Sequence, residues 1–163
     1  MRIGISACLL GMPVRYDGGH KAWVMASDLQ RSGVVFIPIC PEAQSGLGVP
    51  REPMRLEGDP HSPILKTLLT RQDQTNQVAS WVNKRLESLQ DEGVSGFLCK
   101  SRSPSCGVIH VPVYNEQGAI HGYGTGLFAS ACMERFPNLP IAEGDTMTDW
   151  STLQTFLARL PHS

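Results

Sequence analysis

The sequence predicts an α/β fold: a single Rossmann-like three-layer domain with a mostly parallel sheet of about four or five strands. Two observations carry that expectation. Short apolar runs rich in β-branched residues alternate along the chain with segments whose apolar residues recur at helical spacing. Such alternation favours a parallel sheet with helices on both faces and right-handed crossovers. In addition, 163 residues suit one domain spanning 1–163, and 41% hydrophobic residues fill a core without disulfides.

The elements follow in order. Residues 3–7 are a short apolar strand that ends at Cys8. Gly11-Met12-Pro13 and Tyr16-Asp17-Gly18-Gly19 have loop chemistry, and 22–30 is a short helix. Residues 34–39, rich in Val and Ile, form a second buried strand running into Cys40-Pro41-Glu42. The Gly- and Pro-rich stretch 44–63 reads as a long loop, and long loops inside compact domains are usually functional. Val78, Trp81, Val82, Leu86 and Leu89 mark one face of a helix over 76–90, with Gly93 as its stop. A third strand at 95–99 leads into the polar turn 100–107; residues 108–113 are extended and 113–122 make a hairpin-like excursion. Thr125 is a candidate cap for a helix over 127–135. A fourth strand covers 139–143, and Thr148-Asp149 caps a last helix over 150–160.

Fourteen Lys and Arg against fifteen Asp and Glu give a formal net charge of −1, so there is no global pull toward nucleic acid or anionic membrane. No stretch approaches the roughly 20 apolar residues of a membrane span. Residues 1–11 carry only Arg2 as a charge and read as an opening strand rather than a secretory signal. A cytoplasmic protein is expected. Five cysteines is an odd number, which argues against a complete disulfide framework and leaves metal binding or catalysis for grouped thiols.

Three of those thiols group by topology. Ligands of open parallel sheets bind at the carboxyl ends of the strands. Cys8 follows the first strand, Cys40 the second, and Cys106 lies in the turn after the third. Turn chemistry follows each of them, whereas Cys99 and Cys132 sit in apolar runs and read as core. Three thiolates fall short of the four ligands of a structural zinc site, and neither His20 nor His110 has a ligand-spaced partner. A four-iron cluster held by three cysteines leaves one iron open as a Lewis acid.

The residues at this edge also match a family. Ile-Ser-Ala-Cys-Leu-Leu-Gly at 5–11, Arg-Tyr-Asp-Gly-Gly at 15–19, Cys-Pro-Glu at 40–42, Gly-Leu-Gly-Val-Pro-Arg-Glu-Pro at 46–53 and Lys-Ser-Arg-Ser-Pro-Ser-Cys-Gly at 100–107 resemble the DUF523 family, with a weaker match at 122–126. The resemblance implies a thiouracil desulfurase, also called a desulfidase, with a [4Fe-4S] cluster on Cys8, Cys40 and Cys106 and one iron not bound by protein. It further implies release of sulfur from a 2- or 4-thiouracil-type pyrimidine as hydrogen sulfide, leaving uracil. Because a related domain in longer fusions acts on thiolated RNA and no fusion partner is present here, a free thiolated base or nucleoside is expected in preference to thiolated tRNA. Cluster-assembly machinery is an implied partner. Some relatives carry a cysteine where this chain has Val14.

Hydrolysis at a polarised carbon–sulfur bond needs a general base and proton donors within hydrogen-bond reach. Glu42, two residues past Cys40, is the expected base. Ser101 and Ser103, in the Cys106 turn, are expected to relay or orient a proton, and Asp17 is a second carboxylate candidate. Each has a structural rival: Glu42 as a helix-start carboxylate, Asp17 as a turn former, and Ser103-Pro104-Ser105 as shapers of their turn. Arg51 and Arg55 are expected to pair with Glu52 or Glu57 on the surface, or Arg51 to reach substrate. Two other functions stay open: a non-catalytic metal or iron–sulfur module that senses redox state, and a hydro-lyase or sulfur-transfer enzyme using the same open iron.

Overall fold

The computed structural model describes residues 1–162. Strands β1 (Arg2–Ser6), β2 (Val35–Ile39), β5 (Gly96–Cys99) and β8 (Ile141–Glu143) form an all-parallel sheet in the order β2-β1-β5-β8. Strands β3 (Met54–Asp59), β4 (Ser62–Thr67), β6 (Val111–Tyr114) and β7 (Ile120–Gly124) form a second, mixed sheet in the order β4-β3-β6-β7. Helices α1 (Ala26–Arg31), α2 (Thr75–Asp91), α3 (Leu127–Arg135) and α4 (Trp150–Ala158) join them, with shorter helical turns at Ala7–Leu10, Ala43–Leu47 and Gly144–Thr146. No helix among the described residues is long and apolar enough to cross a membrane.

The parallel sheet matches the α/β expectation. The second sheet corrects it, because a single Rossmann-like sheet does not account for eight strands in two groups of four. Most of the predicted loop 44–63 is a helical turn, Ala43–Leu47, followed by β3 and the start of β4. The strands were masked by their composition. Only Leu56 and Leu65 are fully buried, Glu57 interrupts the apolar pattern, and Pro63 looks like a breaker. Pro63 is tolerated because β4 is an edge strand, where a missing N–H need not cost a ladder bond. Glu57 is tolerated because Arg71 makes paired bonds to it, each 2.6 Å, and Arg55 a third at 3.0 Å.

Alternation along the strands divides the interior into two cores, one on each face of the parallel sheet. Ile3, Ile5 and Leu98 point to the side covered by Leu29 of α1 and Leu153 and Phe156 of α4. Ile37, Ile39, Phe97 and Cys99 point to the other side. There they meet Val78, Val82 and Leu86 of α2, Phe128 and Cys132 of α3, and Leu56, Leu65, Val111 and Val113 of the mixed sheet. Cys99 and Cys132 are therefore core residues, as their neighbours in sequence predicted.

Of the four described α-helices only α4 has a side-chain cap at its N-terminus. Asp149 accepts the Thr152 N–H at 2.8 Å and caps α4, as expected. Thr125 does not cap α3. Gly126 holds the N-cap position, and the Thr125 hydroxyl instead donates to the Val108 carbonyl at 3.1 Å. The predicted helix over 22–30 is shorter, beginning at Ala26, and Trp23 before it donates from its indole to the Met147 carbonyl at 2.9 Å.

Gly4, at the centre of β1, faces Phe97. A Cβ there would lie 2.6 Å from the ring. We expect Gly4→Ala to cost about 1–3 kcal/mol by overpacking, read as a lowered urea midpoint at unchanged m-value; wild-type stability in the variant would show that the ring has room to move. The loop after β4 is held by two carboxylates. Glu52 accepts from the Thr70 N–H, the Leu69 N–H and the Thr70 hydroxyl, and the Thr70 N–H is the largest cause of its pKa falling to about 2. Hydrogen bonds from Arg71 likewise lower Glu57. Folded-state pKa values below the unfolded one stabilise above it and lose that stabilisation as pH falls. Thermal stability is expected to decline as pH falls from about 4.5 toward 2, and Glu52→Gln to flatten that decline. Equal slopes for wild type and variant would exclude the clamp.

Candidate active site

The chain leaves β1 for β2 on one side of the sheet and later returns to place β5 on the other. Loops from the carboxyl ends of β1 and β5 therefore separate at a topological switch point, the usual place for a ligand cleft in such sheets. A cavity of about 280 Å³ lies there. Its walls are the 3₁₀ turn after β1 with Cys8, the segment after β2 with Cys40 and Glu42, the loop residues Val14 to Tyr16, the residues Arg51, Pro53 and Met54, and the turn after β5.

The turn carrying Cys106 is built by its own serines. The Ser103 hydroxyl oxygen accepts the N–H groups of Ser105 at 3.2 Å and Cys106 at 3.0 Å. The start of α3 then packs onto the turn: the Leu127 N–H donates to the Pro104 carbonyl at 3.1 Å and the Phe128 N–H to Ser105 at 2.8 Å. Gly126 permits that approach, since a Cβ there would lie 2.5 Å from the Ser105 carbonyl carbon. The Gly124-Thr125-Gly126 segment thus seats the Cys106 turn.

Cys8, Cys40 and Cys106 all line the cavity, together with Glu42, Ser101 and Ser103. Asp17 is not among the lining residues; its carboxylate accepts the Gly19 N–H at 2.9 Å within its own turn. Burial raises the pKa of all three thiols, Cys106 most, and a hydrogen bond from Ser6 opposes the rise at Cys106. Among the described residues no three His, Cys, Asp or Glu side chains converge as a single metal ion requires. Three soft donors spread around one cavity, without histidine, fit a multi-iron cluster better than zinc, whose four ligands close on one point.

Two carboxylates serve the cleft. Glu42 accepts from the buried Ser105 hydroxyl at 2.9 Å and from Arg51 Nε at 3.3 Å. Arg51 is 8% exposed and also donates to the carbonyls of Val14 at 3.0 Å and Gly48 at 2.9 Å. The expectation that Arg51 pairs with Glu52 or Glu57 is thus corrected: Glu52 is engaged by the 69–70 loop, and Glu57 by Arg55, as expected, and by Arg71. The second carboxylate, Asp145, follows β8 and binds Lys100 and Ser101. Asp145, Lys100 and Ser6 are not marked by the sequence reading, and Ser105, expected only to shape its turn, also donates to Glu42. The strand-end rule that gathered the cysteines finds Asp145 when applied to the fourth strand, whereas nothing local marks Ser6.

The parallel sheet thus brings three thiols, a held carboxylate and several hydroxyls to one cleft at its strand ends, where ligands of α/β proteins bind. The profile of the 2-thiouracil desulfurase family matches residues 3–144, and the chain belongs to that family. Similarity to solved structures includes the [4Fe-4S]-dependent thiouracil desulfidase TudS (DUF523Vcz). That match has a TM-score of 0.71 and 29% identity over 94% of this chain and 97% of the other. A Bacillus subtilis (strain 168) protein, the uncharacterized YbbK, is 29% identical over 110 residues, 63% of this chain and 71% of its own length.

Proposed function

We propose that this chain is a [4Fe-4S]-dependent desulfidase that converts a thiolated pyrimidine of the 2- or 4-thiouracil type to uracil and hydrogen sulfide. The observation that carries the reading is the convergence of Cys8, Cys40, Cys106 and Glu42 on one cavity in a member of this family. Cys8, Cys40 and Cys106 would hold the cluster, which supplies, through an iron not bound by protein, a Lewis acid with affinity for a soft thiocarbonyl sulfur.

The remaining chemistry belongs to the chain. Water adds to the ring carbon, the carbon–sulfur bond breaks, and both protons of that water end on sulfide, so no electrons are exchanged. Glu42 is the group that takes a proton from the attacking water and returns it to the leaving sulfur, since it alone of the two cleft carboxylates lines the cavity. Arg51 and the Ser105 hydroxyl hold its two oxygens in place. The Ser103 oxygen is occupied by two backbone N–H groups, which fixes the Cys106 turn and leaves its own proton available to the cavity. Asp17 is assigned to shaping the Arg15–Gly19 turn.

The cavity of about 280 Å³, part of which the cluster would fill, suits a free base or nucleoside, and a tRNA base would have to be splayed out to enter. All five thiols are free, which fits a reducing cytoplasm and loading by cluster-assembly proteins.

The test is anaerobic reconstitution with iron and sulfide, then sulfide release from 2-thiouracil, 4-thiouracil and thiolated tRNA. Loaded protein that releases sulfide from none of them sinks the reading. Alanine at Cys8, Cys40 or Cys106 is expected to abolish iron and sulfide retention while Cys132→Ala keeps both; the reverse pattern would reassign the ligands. Glu42→Gln should retain the cluster and lose roughly 10²- to 10⁴-fold in kcat, the usual contribution of a general base. Near-normal turnover in that variant would remove Glu42 from proton transfer.

A further inference from the structure

We propose that Asp145 is a positioning residue that fixes the Ser101 hydroxyl so that Ser101 meets the cavity as a hydrogen-bond acceptor. This rests on the desulfidase reading above.

Asp145 lies in the 3₁₀ turn Gly144–Thr146, directly after β8, so the fourth parallel strand adds to the same edge as the other three. Its Oδ1 accepts the Ser101 backbone N–H at 2.8 Å. Its Oδ2 accepts both the Ser101 hydroxyl at 2.6 Å and the Lys100 ammonium at 2.9 Å. Lys100 Nζ also donates to the Ser101 carbonyl at 3.0 Å and to Ser101 Oγ at 3.2 Å.

Counting donors and acceptors decides what is left. An ammonium has three N–H donors, and these contacts use all three, so Lys100 is a fixed cation with no donor free for substrate. A serine hydroxyl has one donor and two acceptor sites. The donor is committed to Asp145 and one acceptor site to Lys100. One lone pair remains, on a side chain that lines the cavity. It can receive a hydrogen bond from the attacking water or a ring N–H. It cannot donate to the thiocarbonyl sulfur without breaking the Asp145 bond. Burial raises the Asp145 pKa, but the Ser101 and Lys100 hydrogen bonds outweigh it and hold the carboxyl below its usual range. Asp145 itself is outside the cavity lining, so it acts through Ser101.

The rival reading makes Asp145 a structural tie between β8 and the turn after β5. Asp145→Asn separates the two, because the amide keeps the shape but cannot accept from both Ser101 and Lys100 through one NH₂ group. The reconstituted variant is expected to keep wild-type iron and sulfide content and a cooperative thermal transition, at a somewhat lower midpoint because Lys100 loses its carboxylate. Its kcat should fall roughly 10- to 100-fold at little-changed KM, the scale of a misplaced orienting group. In the Ser101→Ala background the same change should add no more than about 3-fold, because interacting residues are non-additive. A kcat within about 2-fold of wild type, or losses that multiply in the double variant, would overturn the proposal. Loss of the cluster or of the fold in Asp145→Asn would overturn it too, since Asp145 would then be a structural support. Wild-type protein that releases no sulfide defeats the desulfidase reading itself, whereas an active wild type beside a fully active Asp145→Asn defeats only the positioning role.

Discussion

Strand β1 pairs in parallel with β2 on one side and β5 on the other, with Gly4 opposite both Ile37 and Phe97. The spacing of the site residues depends on this double register. Both faces of the sheet are buried, so a one-residue slip of β1 would turn Ile3 and Ile5 from one core into the other. It would also carry Cys8 about 3.3 Å along the strand axis, away from its partners. Gly4 makes the register specific, because the space it leaves is filled by Phe97 and any neighbouring residue of β1 would bring a side chain there. At the end of the strand, Ser6 Oγ accepts the Lys100 N–H at 2.8 Å and ties the exits of β1 and β5 together.

Charge in the cleft is organised twice in the same way, as a carboxylate bridging a cation and a serine hydroxyl. Glu42 bridges Arg51 and Ser105; Asp145 bridges Lys100 and Ser101. Partly buried carboxylates without such partners would cost several kcal/mol or take up a proton. The two differ in what they face. Glu42 lines the cavity, while Asp145 does not and stands behind Ser101. Sequence proximity gives Glu42 its place beside Cys40. Asp145 reaches the cleft only through the pairing of β5 with β8.

Most of the parallel sheet and the three thiols were legible because each depends on local signals: β-branched runs, a turn after each, and a topological rule that converts strand ends into neighbours. The β3–β4 half of the mixed sheet and its pairing to β6 were not. The sheet's central pairing joins Leu56 to Val113, far apart in the chain, and β3 carries Glu57 in its interior with its partners Arg55 and Arg71 supplied in part by another loop. Arg51 was misplaced for a related reason: its nearest charges in sequence, Glu52 and Glu57, are taken by other groups, and the partner it finds is nine residues away. The hairpin over β6 and β7 was visible because its two strands are adjacent in sequence.

The mixed sheet has a consequence for the site beyond the core it fills. The loop from Cys40 to Pro53 starts at the end of β2 and finishes at the start of β3; the turn carrying Cys106 starts after β5 and finishes at β6. Both loops are therefore gripped at each end by strands, and their far ends are joined to one another because β3 and β6 pair in parallel. The third loop, after β1, is anchored by strand at only one end, and there Arg51 supplies the missing hold: its N–H donates to the Tyr16 carbonyl at 2.9 Å and its guanidinium to Val14. Ordering such loops before a cofactor or substrate arrives removes an entropic cost that binding would otherwise bear. A parallel sheet alone sets the thiols at one edge. The second sheet, acting through the segment that carries Arg51, turns that edge into a walled cavity lined by the three thiols and Glu42.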